Sequence, residues 1–266
     1  MSKIQEAINE IHRIDNKTYD NSFFIKIHPL IKFLITIIYI VFLTSINKYD
    51  LITTVSMVIY LIVVGIIGDI SIKNCIKKFK VIFILLFFIG IANPILDRTI
   101  VTYIGIIPIT TGVISMITLF LKGFFAIIAS YLLITTTSID DLCYALKLLH
   151  IPNTLIVIFM LIYRYIMVFL KEVERIWTAY SLRAPKQKGV NFKVWGSMIG
   201  SLLIRSMDRA QIVYESMELR GFNPDKFFIR TQQINTISII YFIAMIILLV
   251  LIRFVPIFEI VGSAFV

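Results

Sequence analysis

Two arginines 37 positions apart, Arg183 in Ser181-Leu182-Arg183-Ala184 and Arg220 in Leu219-Arg220-Gly221, are the side chains best suited to recognition in this sequence. A guanidinium at an exposed helix end presents a planar, permanently charged fork that another protein's carboxylates grip in a bidentate way, which a lysine does less selectively. The chemistry expected of them is docking. The competing reading is that both only sit near helix C-termini, where the dipole favours positive charge by about 0.3–1 kcal/mol. Groups for other chemistry are sparse. The single adjacent carboxylate pair, Asp140-Asp141, follows Ser138 and reads as a helix cap rather than a holder of magnesium and diphosphate, which disfavours a membrane transferase. Cys75 and Cys143 lack metal-ligand or redox spacing, and His12, His28 and His150 are scattered, so neither a metal site nor a catalytic residue is expected. No Gly-x-x-x-x-Gly-Lys-Ser/Thr loop exists to bind ATP.

The elements that must present these arginines follow from composition. The 266 residues are 59% hydrophobic with a mean hydropathy of +0.91, and the apolar residues fall in runs long enough to cross a bilayer. The fold class is all-α: a polytopic membrane protein of about five transmembrane helices with a coupling domain of long amphipathic helices. The net charge of +10 then marks the cytoplasmic side and lipid headgroups rather than nucleic acid. Residues 1–135 are expected to hold a surface helix over 3–14 (Ile4, Ala7, Ile8, Ile11, Ile14) and spans at Leu30–Ile46, Leu51–Ile67, Val81–Leu96 and Val113–Thr135. No cleaved leader is expected, the first span serving as the signal. Lys73, Lys77, Lys78 and Lys80 anchor one loop to the cytoplasm. Lys122, inside the fourth span, is expected to snorkel or to face a partner.

Residues 136–233 carry 13 of the 26 basic residues, and crossing at 154–170 would export eleven of them, so this region is expected to stay cytoplasmic. Arg164 sits at the centre of that apolar stretch, where exposure to lipid would be costly, so the stretch is expected to pack against the bundle or dip into it. Residues 234–266 supply the last span and an outside C-terminus, leaving the N-terminus in the cytoplasm. Within 136–233, one helix starts after Ser138 and ends at Ile151-Pro152-Asn153, a second runs from Pro152 to about Arg183, and a third from about Phe192 to Leu219. The third bears an apolar stripe (Trp195, Met198, Ile199, Leu202, Met207, Ala210, Tyr214, Met217) that reads as core packing, and a polar face with Arg205, Asp208, Arg209, Glu215 and Glu218. Gly221 after Arg220 fits a left-handed cap that would leave the arginine at the tip.

Leu161-Ile162-Tyr163-Arg164-Tyr165-Ile166, the Arg183 motif, Arg205-Ser206-Met207-Asp208-Arg209-Ala210 and Glu215 through Phe222 resemble the transmembrane T component of energy-coupling-factor transporters. More narrowly, His28-Pro29, Lys32 and Asn93-Pro94-Ile95-Leu96-Asp97-Arg98 are similar to its CbiQ branch, associated with cobalt uptake. The resemblance runs from about Ile11 to Phe222. It implies that Arg183 and Arg220, with Ser181, Leu219 and Gly221, dock on two ATP-binding cassette ATPase subunits. Arg164, Arg205, Asp208, Arg209 and Glu218 would support the coupling. It further implies that ATP and magnesium are bound by those subunits, that this chain needs no cofactor, and that substrate is bound by a CbiM-like membrane subunit with a CbiN-like small one. Nickel or vitamin uptake is the alternative to cobalt. The second motif keeps Arg220 and Gly221 but has Leu219 where the family has alanine, and the first keeps only Arg183.

Overall fold

The computed structural model describes residues 22–68, 70, 79–97, 100–104, 107–184, 191–224 and 233–254. The amphipathic stretch over 3–14, His12, Lys73, Lys77, Lys78, Cys75 and Arg98 lie outside them. Ten helices form among the described residues: α1 Ser22–Ile25, α2 Pro29–Ser45, α3 Leu51–Ser56, α4 Val58–Ile67, α5 Lys80–Leu96, α6 Thr111–Thr136, α7 Ile139–Leu148, α8 Asn153–Arg183, α9 Phe192–Leu219 and α10 Thr236–Phe254. The chain is thus an all-α membrane protein. One small hairpin interrupts the helices, β1 (Ile100–Ile104) pairing antiparallel with β2 (Ile107–Thr110) between α5 and α6. By length and composition α6, α8 and α10 suffice to cross a membrane; α2, α5 and the Leu51–Ile67 stretch are shorter apolar helices. Residues 154–170, assigned to one side of the membrane by their charged surroundings, therefore begin a helix of sufficient length and apolarity to cross. The charge bias arises from residues beyond Phe169, whereas length and hydropathy describe the apolar run before it.

The chain divides into two compact units, one built on Ile139–Thr231 and the other on Lys17–Ser138 with Gln232–Val266. In the second unit, α2 buries Ile31, Ile35, Tyr39 and Leu43, one residue per turn, and exposes Ile37 and Val41 on another face. Tyr39 stacks on Tyr60 with centroids 4.3 Å apart and donates its hydroxyl to the Met57 carbonyl at 3.3 Å. That carbonyl lies at the join of α3 and α4, so the expected single span Leu51–Ile67 is two helical segments. Thr54 back-bonds to Asp50 O and Ser56 to Thr53 O, both at 2.7 Å, beside this join.

In lipid, burying one apolar face against another gains little, so polar ties count for more than they would in a soluble core. Such ties sit at both ends of α2. At its start, the buried His28 N–H donates to Ser238 Oγ (2.9 Å) while its Nδ1 accepts from Leu30 N–H (3.3 Å). Lys32 Nζ, also buried, donates to the carbonyls of Phe24 (3.2 Å) and Thr136 (2.8 Å). At its finish, Lys122 Nζ donates to the carbonyls of Thr44 (3.4 Å) and Ile46, and Arg253 Nη2 to that of Ser45 (3.2 Å). Lys122 therefore ties α6 to the end of α2. These pairings set α2 antiparallel to α6 and parallel to α10. Their physical basis is the same at Thr136 and at Ser45: the last carbonyls of a helix lack intrahelical partners and carry partial negative charge, which a cation from a neighbour satisfies.

Asn93 and Asp97 hold the end of α5 against the start of α6. Asp97 accepts from Tyr49 Oη (2.9 Å) and Thr111 Oγ1 (2.8 Å), and its N–H bonds the Asn93 carbonyl (2.9 Å). Gly112 lies so close that a Cβ there would come within 2.5 Å of the Asp97 carbonyl and 2.6 Å of the Asn93 carbonyl, both backbone atoms. Only glycine lets α6 start against this turn.

Candidate functional site: an antiparallel helix pair with arginine ends

The other unit contains α7, α8 and α9. Helix α7 has Asp140 and Asp141 in its first turn and buries Cys143 and Tyr144 against Ile156 of α8. Burial pushes the Cys143 thiol up to about 11, with the charge of Asp140 adding to it. His150 ends this helix in the left-handed region, φ 62°, with its own N–H on Lys147 O (3.0 Å) and the Ile151 N–H on Leu146 O (3.4 Å). That is a Schellman turn with histidine in the usual glycine place.

Helix α8 has the 31 residues Asn153–Arg183 and α9 the 28 residues Phe192–Leu219, about 46 and 42 Å at 1.5 Å per residue. Proline at the cap position starts the first: the Pro152 carbonyl accepts from Leu155 N–H at 3.0 Å. Asn191 starts the second, its Oδ1 accepting from Lys193 N–H at 3.1 Å. The Asn191 N–H in turn donates to Tyr180 Oη at 3.3 Å, bringing the beginning of α9 beside the last turns of α8. Further along, Glu172 of α8 binds the Arg205 guanidinium of α9 and also Arg175, at 3.3 Å. Beyond that ion pair the first half of α8 faces the second half of α9. The two helices are antiparallel.

Each arginine closes its own helix. Arg183 is the last residue of α8 and is exposed; the cap residue Ala184 is at φ −129°, and its N–H bonds Tyr180 O at 3.0 Å. Ser181 is held locally, its hydroxyl donating to Thr178 O at 2.8 Å. At the other end the expected cap is present. Gly221 has φ 67°, its N–H donates to Glu218 O and the Phe222 N–H to Met217 O, both at 2.9 Å, which is the Schellman pattern. Arg220 at the cap position is exposed, and so are the neighbouring leucines, Leu219 by 89% and Leu182 by 76%. Because the pair is antiparallel, Arg183 and Arg220 stand at opposite ends, apart by on the order of 40 Å.

The apolar stripe of α9 is not core. Trp195, Ile199, Met207 and Tyr214 are each more than half exposed, and no residue of α9 is buried. Periodicity reports that a face is apolar, not that something covers it. Between the first half of α8 and the second half of α9 the stripe lines an open groove of about 720 Å³, with Leu161, Tyr165 and Phe169 opposite Ala210, Tyr214 and Met217. Arg209 and Glu218 reach the same groove. Asp208 and Arg164 are exposed and lie outside its lining. Of the residues marked by sequence, the structure joins Arg205 to α8 and brings Arg209 and Glu218 to one cleft. Glu172, which makes the cross-helix pair, was missed; its i,i+3 spacing from Arg175 was the available signal.

Residues 20–229 match the family described as CbiQ, cobalt transport protein. The chain belongs to the CbiQ family. Among curated relatives, the putative fused cobalt transport protein CbiMQ of Methanocorpusculum labreanum is 34% identical over 94 residues, 35% of this chain and 16% of that protein. The nickel permease LarQ of Lactiplantibacillus plantarum is 31% identical over 88 residues, 33% of this chain and 32% of that one. The aligned part thus spans less than a third of either relative. CbiQ membership makes this chain a transport protein of the membrane, and the arginine-ended helices fall inside the matched region.

Proposed function

We propose that the chain is the transmembrane coupling subunit, or T component, of an energy-coupling-factor importer. In this reading it is a non-catalytic scaffold that passes ATP-driven motion from two ATP-binding cassette ATPase subunits to a substrate-binding membrane subunit. The observation that supports this best is the pair of exposed arginines at opposite ends of one antiparallel helix pair. A separation on the order of 40 Å suits one ATPase at each end rather than both arginines on one. Arginine is among the residue types that most often anchor an interface, and Leu182 and Leu219 expose apolar area beside each charge. Drawing the two ATPases together would then turn α8 and α9 about their Glu172–Arg205 contact, and the exposed stripe of α9 would carry that motion to the substrate-binding subunit.

ATP and magnesium belong to the ATPases, and this chain carries no cofactor. Residues 136–233 face the cytoplasm, as does the N-terminus, and the chain crosses the plasma membrane. The substrate-binding subunit is CbiM-like, assisted by a CbiN-like one, and the cargo is cobalt ion; the relative named as a fused CbiMQ protein supports this assignment. Nickel is the second reading, favoured by the relative named nickel permease.

Co-purification of the ATPases with the chain, and cobalt uptake into vesicles, test the proposal together. Arg220→Ala is expected to weaken ATPase binding about thirtyfold, the loss typical of a buried arginine anchor. Arg183→Ala weakens it less, and the double variant abolishes uptake with membrane insertion intact. Full uptake in the double variant refutes the coupling role.

A further inference from the structure

The finish of α2 gathers positive charge from two other helices. Lys122, midway along α6, and Arg253, in the last turn of α10, donate to three consecutive carbonyls, those of Thr44, Ser45 and Ile46. The two cations are near enough to repel each other, and the helix end offsets only about half a charge. Asp50, whose Oδ1 caps the Thr53 N–H at 3.1 Å, acts on Lys122 and leaves the cluster net positive.

Donor arithmetic points the same way. An ammonium has three N–H groups and a guanidinium five, whereas the described residues supply three carbonyl contacts to the pair. Both side chains are half-buried, so each keeps part of its surface uncovered by the described residues. One turn from Ser45 on α2, Val41 is 55% exposed, and one turn before Arg253 on α10, Val250 is 38% exposed. A phosphate-bearing ligand with hydrocarbon chains satisfies the donors and covers these flanks; a free phosphate does only the first.

We propose that Lys122 and Arg253 together bind the phosphate of an anionic lipid headgroup at the Ser45 end of α2. The site is independent of the coupling role proposed above. It fastens the bundle to the bilayer at the opposite end of α2 from the buried His28 and Lys32 ties.

Native mass spectrometry of the full chain released from vesicles of mixed phosphatidylglycerol and phosphatidylcholine tests this. Retention of phosphatidylglycerol in preference to phosphatidylcholine is expected, falling about fivefold for Lys122→Gln and again for Arg253→Gln, since each interfacial cation contributes about 1 kcal/mol toward anionic lipid. Lys122→Arg is expected to keep the preference. Equal retention of the two lipids by the unaltered chain overturns the proposal, and this outcome needs no variant to fold. Unchanged preference in folded glutamine variants also overturns it, as does displacement of the lipid by millimolar inorganic phosphate, which would make the occupant a free ion.

Discussion

Gly221→Ala isolates the conformational part of the α9 tip from any steric part. A Cβ at this position would meet no atom within 4 Å, so crowding contributes nothing. What remains is the backbone. An L-residue held at φ 67° pays about 1–2 kcal/mol, and alanine recovers about 0.4–1 kcal/mol by restricting the unfolded chain. The net is about 1 kcal/mol, roughly a fivefold shift toward an open end. Two amides report it directly, because the position 221 N–H bonds Glu218 O and the Phe222 N–H bonds Met217 O. Hydrogen exchange at these two amides is expected to speed up about fivefold, with α9 before Met217 unchanged. If Arg220 docks as proposed, ATPase binding weakens by a similar factor. Gly221→Asn should fall between glycine and alanine, since asparagine tolerates the left-handed region better. Exchange in the alanine variant matching the unaltered chain would refute the cap account, and so would an asparagine variant as damaged as the alanine one.

Lys32→Met removes the ammonium that serves the Phe24 and Thr136 carbonyls and is expected to cost about 2–4 kcal/mol in the bundle. Thermal unfolding in detergent checks it, an unchanged midpoint counting against the tie. In a Cys75→Ser background, Cys143 is expected to react with a maleimide at about pH 7.5 at least a hundredfold more slowly than a peptide thiol, being buried and holding its proton up to about 11. Its folded value lies above the ordinary thiol value of about 8.5. The associated stability is therefore complete below about pH 8.5 and is lost as pH rises through about 11. Monitoring unfolding across that interval checks the sign.

Helix limits in the arginine-bearing unit were legible because they depend on neighbours a few residues away. Pro152 can start a helix and not continue one, the 3.6-residue period carries α8 to Arg183, and α9 ends where Gly221 permits a reversal. The first motif has no glycine directly after Arg183, so its sequence offers no such reversal. His150 shows the limit of that logic: histidine enters the left-handed region more often than most residues, but its type alone does not fix a helix end, and it takes one because Ile151 and the chain leading to Pro152 must turn there. The ties of Lys32 and Lys122 span 104 and 76 positions, and no local pattern encodes which carbonyl a lysine will find.

By itself the sequence determined the class of protein, the limits of the two long arginine-ended helices, the capped end at Gly221 and the two arginines as the groups to watch. Each of these rests on apolar run length, periodicity or a backbone preference within a few residues. Tertiary structure alone decided that α8 and α9 run antiparallel, so that Arg183 and Arg220 face opposite ways. It also decided that Glu172 and Arg205 join the two helices and that the α9 stripe borders an open groove instead of a core. The physical reason is that helix pairing is settled by contacts between residues far apart in the chain, and an apolar face has the same periodicity whether protein, lipid or nothing yet lies against it.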